Sequence, residues 1–210
     1  MKSRTFNIIK IYICDIKLTE MSDFLVWFLT GLQHILDLKA YDHILYIVCL
    51  SLLFKPAEWK KLLVLVTAFT LGHSFTLALS TFNILSFPSS WIEIAIALTI
   101  GITCLINFKE LALSSAGIQS RYWTAALFGC VHGLGFSYLL KSMLGKEMSV
   151  LFPLFSFNLG LEIGQIVVLS LVLGFTYFLQ KTTLRFEKAI LSTITFVILL
   201  VSIYLILQRI

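Results

Sequence analysis

Charged side chains are scarce in this chain. Only 13 % of its 210 residues are Asp, Glu, Lys or Arg, against 59 % hydrophobic residues, whereas soluble domains carry roughly a quarter charged residues. That shortage, with a mean hydropathy of +0.95, excludes most soluble-enzyme classes and points to a polytopic membrane protein. Proline is rare too. Pro56, Pro88 and Pro153 all fall outside or at the edges of the apolar runs. The four cysteines, Cys14, Cys49, Cys104 and Cys130, form no C-x-x-C pair and no disulfide-like spacing, and read as small packing residues. Basic residues outnumber acidic ones, 16 to 11, but they lie between the apolar runs. No basic stripe with interleaved aromatics is present, so nucleic acid is not an expected partner.

Long apolar runs take the place of charge. Seven are marked, over residues 24–38, 41–54, 62–80, 91–108, 122–140, 155–180 and 189–207. The last five are long enough to cross a hydrocarbon core of roughly 30 Å. The first two are short, and are either full helices with polar ends or a broken pair meeting in a cavity. The expected fold class is all-α, a polytopic transmembrane bundle of about seven helices with the first two short. Residues 1–22 form an expected cytoplasmic N-terminal arm. Lys2, Arg4, Lys10, Asp15, Lys17 and Glu20 interrupt it, and it is not read as a removable signal peptide. Residues 23–210 form a single transmembrane domain.

Seven crossings place Lys2, Arg4, Lys10, Lys17, Lys55, Lys60, Lys61, Lys109, Arg121, Lys181, Arg185 and Lys188 on one side. Lys39, Lys141, Lys146 and Arg209 fall on the other. Twelve against four favours a cytoplasmic N-terminus in the cell (inner, cytoplasmic) membrane. If the first run does not cross, the division becomes eight against eight and the signal is lost. Trp59, Trp91, Tyr122 and Trp123 lie near run ends, where interfacial aromatics belong, and Glu93 also reads as interfacial.

All four histidines, His34, His43, His73 and His132, fall within or at the ends of apolar runs. Ionisable groups at membrane depth are costly and are kept for function. His34 and Asp37 are three apart on one helix face, and Asp42-His43 opens the second run. Imidazole and carboxylate there suit a divalent transition metal. In the third run Thr67, Thr70 and His73 or Ser74 line one face, as helix–helix glue or as a hydrated path beside His73. The fifth run sets His132 among Gly129, Gly133 and Gly135, glycines that permit close backbone approach. The sixth carries Asn158, Glu162 and Gln165 at i, i+4 and i+7, with Gly160 and Gly164 thinning the neighbouring face. Glu162 is the single carboxylate deep in a clear run, and reads as a cation ligand or proton-coupled group. Phe69-x-x-x-His73 and Phe128-x-x-x-His132 form a faint internal repeat.

In order along the chain, Gly31, His34, Asp42-His43, the Thr67 to Thr76 stretch, Phe128 to Phe136 and Phe157 to Gln165 together resemble the HupE/UreJ family of membrane proteins. Seven residues separate His34 from Asp42 where the family pattern usually has five. The resemblance implies a nickel or cobalt permease linked to metalloenzyme maturation. Metalloenzyme-maturation proteins and a second copy of the chain are the partners it brings into view, besides the lipid bilayer and the ion.

The leading expectation is therefore a permease or secondary transporter for a divalent transition-metal cation, nickel or cobalt. Its expected ligands are His34, Asp42, His43, His73, His132 and Glu162, with Asp37, Thr70, Ser74, Asn158 and Gln165 along the path. No nucleotide-binding loop is present, so ATP hydrolysis in this chain is not expected and the protein is read as a non-enzyme. The alternative is an intramembrane zinc-dependent hydrolase using the same cluster, with Glu162 as base.

Overall fold

A computed structural model describes residues 23–38, 41–113, 118–144 and 150–210. The N-terminal arm expected over residues 1–22 lies outside them. The described residues form seven α-helices and no strand. These are α1 (Asp23–Leu36), α2 (Asp42–Ser51), α3 (Trp59–Thr81), α4 (Ser89–Leu113), α5 (Ile118–Leu144), α6 (Leu151–Leu179) and α7 (Leu184–Arg209), with a 3₁₀ turn at Pro56–Glu58 before α3. The last five are long and apolar enough to cross a membrane. Helices are what such runs must form, because lipid offers nothing to an unpaired N–H or C=O. Trp59, Trp91 and Trp123, at the starts of α3, α4 and α5, are exposed, as interfacial anchors are.

Contacts between helices set their directions. Along α1 and α6, Phe24 meets Phe152, Gly31 faces Phe157, and Ile35 packs on Gly164, so the two helices run parallel. Along α3 and α5, Phe69 faces Gly129 and His73 faces Gly133, and Lys141 reaches Asn83 just past α3 at 2.9 Å. These two are parallel as well. Helix α4 runs antiparallel to α7, since Ala97 bonds Ser202 and Glu93 bonds Arg209. Helix α2 follows α4, from Asp42 near Glu93 to Cys49 against Cys104. Both α1 and α2 therefore run away from the end at which α3, α5 and α7 finish, here called the mouth end.

With 14 and 10 residues, α1 and α2 extend only about 21 and 15 Å, each short of a hydrocarbon core of roughly 30 Å. The two short helices share a direction.

A half-length helix inside a bundle needs partners for its terminal carbonyls. For α2, two of them come from side chains. Asn107 Nδ2 donates to the Cys49 carbonyl at 2.7 Å, and Arg121 Nη1 donates to the Leu50 carbonyl at 3.1 Å. Arg121 also holds Glu110 through Nε at 2.8 Å and through Nη2, and its guanidinium lies over Phe54. At the other end of α2, Asp42 in the first turn complements the helix dipole.

Three helix pairs carry most of the packing: α3 with α5, α1 with α6, and α4 with α7. The first two rest on glycine. A Cβ at Gly31 would strike the Phe157 carbonyl oxygen and one at Gly160 the Phe28 carbonyl oxygen, while Gly72, Gly129 and Gly133 make the same close approach between α3 and α5. The two members of the faint repeat thus lie side by side on a glycine-lined crossing.

Candidate metal centre

The break between α1 and α2 places His34, near the end of one helix, against His43, near the start of the next, with ring centroids 4.4 Å apart. His73 arrives from α3, 5.9 Å from His34 and 6.0 Å from His43. His132 arrives from α5, 4.9 Å from His43. One nitrogen from each of His34, His43 and His73 lies within 4.8 Å of the others. A metal with bonds near 2.0–2.1 Å holds its donors about 3–4 Å apart, so small ring rotations close this set on one ion.

The hydrogen-bond pattern fits that use. His34 Nε2, His43 Nε2, both nitrogens of His73 and His132 Nδ1 are buried with no hydrogen-bond partner, although buried polar atoms are nearly always paired. His132 Nε2 is engaged, 2.9 Å from Thr99 Oγ1. Phe136 packs on His34 with centroids 4.2 Å apart, Phe69 on His132 at 5.1 Å, and Phe157 stacks on Phe136 at 4.7 Å. This aromatic wall limits ring motion and keeps the surroundings apolar.

Two openings reach the cluster. A cavity of about 540 Å³ is lined by His34, His43 and His132, with Asp42, Glu93 and Arg209 also in its wall. A second, of about 600 Å³, is lined by Thr30, Gln33, His34 and Asp37. Gly135 and Phe136 border both. Asp42 is paired with Arg209, Oδ2 to Nη2 at 2.9 Å, and Asp37 lies exposed past the end of α1.

Two more of the expected residues, Glu162 and Gln165, pair with hydroxyls between α3 and α6. Glu162 Oε1 accepts from Thr67 Oγ1 at 2.7 Å, and Gln165 Oε1 accepts from Thr70 Oγ1 at 2.8 Å. Thr67 precedes His73 by six residues, about 9 Å along the helix. Ser74 donates to the carbonyl of Thr70 in its own helix at 2.7 Å. Asn158 Oδ1 and Gln165 Nε2 are buried and unpaired. Among the described residues, the converging set of three does not include Glu162, and the hydrolase alternative, which needs it as base, draws no support from this geometry.

Three features escape sequence reading. Arg209 and Glu93 belong to the cavity wall, yet each reads as an ordinary end-of-run charge. Cys49 and Cys104, separated by 55 positions, bring their sulfurs to 3.3 Å as buried free thiols, a contact that no local spacing announces. Thr99 gives no local signal of its bond to His132.

Comparison with curated proteins and with solved structures finds no match. The family model described as HupE / UreJ protein matches residues 12–209. With two short helices ahead of five long apolar ones and its histidines gathered from α1, α2, α3 and α5, the chain belongs to the HupE/UreJ family, multi-pass membrane proteins of metal transport.

Proposed function

We propose that the protein is a permease or secondary transporter for Ni²⁺ or Co²⁺, with His34, His43, His73 and His132 as its binding station. The observation that carries this reading is the convergence of unpaired imidazole nitrogens from separate helices in a cavity-linked pocket. Imidazole suits these ions. Donors on separate helices form a site whose geometry changes as the helices move, and release is as necessary to transport as capture. The chain then binds and passes an ion without covalent chemistry.

The test is uptake of radioactive nickel and cobalt by cells expressing the wild type, His43→Ala or His73→Ala at equal membrane levels. Loss of uptake in both variants is expected. Wild-type rates in both would overturn the reading.

A further inference from the structure

We propose that Arg209 is a built-in competitor for the incoming cation, holding Asp42 at the mouth of the histidine cavity until a divalent ion displaces it toward Glu93. The inference rests on the transport reading and adds to it a residue that decides which ions enter.

One guanidinium ties three helices together at the cavity. Its Nη2 donates to Asp42 Oδ2 at 2.9 Å, its Nη1 donates to the Glu93 carbonyl at 2.9 Å, and its Nε lies 3.6 Å from Glu93 Oε2. Asp42 precedes His43 in sequence, so the carboxylate held by Arg209 is the anion nearest along the chain to a cluster imidazole. Of the described residues lining this cavity, Asp42 and Glu93 are the acids, His34, His43 and His132 the imidazoles, and Arg209 the one fixed positive charge.

Arginine does not lose its proton. The positive charge leaves Asp42 only if the side chain moves. The two acids differ in a way that provides a direction. The Asp42 and Arg209 side chains are 17 % and 18 % exposed, while Glu93 is 53 % exposed. A guanidinium that shifts onto Glu93 keeps one carboxylate partner and gains water, so release does not strand a buried charge. A monovalent ion offers Asp42 no more charge than the guanidinium does and lacks its fork, which reaches Asp42 with one arm and the Glu93 carbonyl with the other. A divalent ion offers twice the charge, and imidazoles behind it. Competition by Arg209 therefore favours divalent over monovalent entry, selectivity obtained by penalising the wrong ion.

The experiment is calorimetric titration of the purified full-length protein in detergent with nickel chloride and, separately, cobalt chloride. Arg209→Gln is expected to bind roughly threefold to tenfold more tightly than the wild type, because Asp42 is no longer occupied. Glu93→Gln is expected to bind about twofold to fivefold more weakly, because displaced Arg209 loses its second partner. Asp42→Asn in the Arg209→Gln background should abolish the gain. Arg209→Lys, which keeps the charge without the fork, should show a smaller increase in affinity, and it carries the same test if Arg209→Gln does not accumulate as folded protein. A residue that merely staples α7 to α2 and α4 would leave affinity unchanged or weaken it on removal. Unchanged or weaker binding in the arginine variants, with a wild type that binds, overturns the inference alone. A wild type that binds neither ion overturns the transport reading and this inference with it.

Discussion

Thr99 Oγ1 lies 2.9 Å from His132 Nε2 and donates its single proton to the Ile96 carbonyl at 2.7 Å. In that arrangement the hydroxyl accepts from the ring, and neutral His132 is expected to carry its proton on Nε2. Nδ1, which is buried and unpaired, is left with its lone pair for a cation. Thr99→Val removes the acceptor and frees the other tautomer. Outer partners of metal-bound histidines typically contribute about tenfold to a hundredfold in affinity. A tenfold weaker nickel affinity is expected, with a changed ¹⁵N tautomer signature for His132. Wild-type affinity and an unchanged signature would remove this role for Thr99.

Gly129 and Gly174 should respond in opposite directions to alanine. A Cβ at Gly129 meets the backbone of Phe69 on α3, whereas one at Gly174 meets nothing within 4 Å. Overpacking against backbone costs about 1–3 kcal/mol or more, while alanine in an open helical position is favoured by up to about 1 kcal/mol. Thermal unfolding in detergent should show Gly129→Ala well below the wild type and Gly174→Ala equal to it or above.

The Arg121 network is expected to be dispensable only as a unit. Its Arg121 and Glu110 side chains are 3 % and 12 % exposed, so either single truncation leaves a charge without its partner, at about 3–5 kcal/mol. Arg121→Met also frees the Leu50 carbonyl at the end of α2. The double variant Arg121→Met with Glu110→Leu should unfold at a higher temperature than Arg121→Met alone. A double variant less stable than both singles would contradict that ordering.

The cobalt-loaded protein should lack thiolate ligation. Cys49 follows His43 by six residues, about 9 Å down α2, and its sulfur contacts Cys104 rather than the histidines. The Co²⁺ spectrum is then that of nitrogen and oxygen donors, with no strong sulfur-to-cobalt charge-transfer band, and Cys49→Ser leaves it unchanged. A near-ultraviolet band abolished by Cys49→Ser would place the ion elsewhere.

What the sequence revealed and what it hid divide along a physical line. Hydropathy and periodicity are local, so the seven runs and the four membrane histidines were legible, and the runs correspond to the seven helices. The order in which helices cross is not local. Asp42 and Arg209 are 167 positions apart and nothing near either one announces the other. The polar stripe of Glu162 and Gln165 was visible as a stripe, but whether it faces an ion or matching hydroxyls depends on its neighbour, and Thr67 and Thr70 supply the hydroxyls. The direction of α1 was hidden for the same reason. It is set by Gly31 accepting the backbone of Phe157 and Gly160 that of Phe28, a fit that exists only once both helices are placed.

The pairing of helices has a mechanical consequence. Where backbones touch through glycine, two helices move as one stiff leaf, and α1 with α6 and α3 with α5 are two such leaves. His34 rides on the first, His73 and His132 on the second, and His43 on α2, which is anchored to α4 and Arg121. The rings therefore act as pointers mounted on separate plates. A slide of one plate by the width of a bond changes the distances between donors before any side chain changes its rotamer.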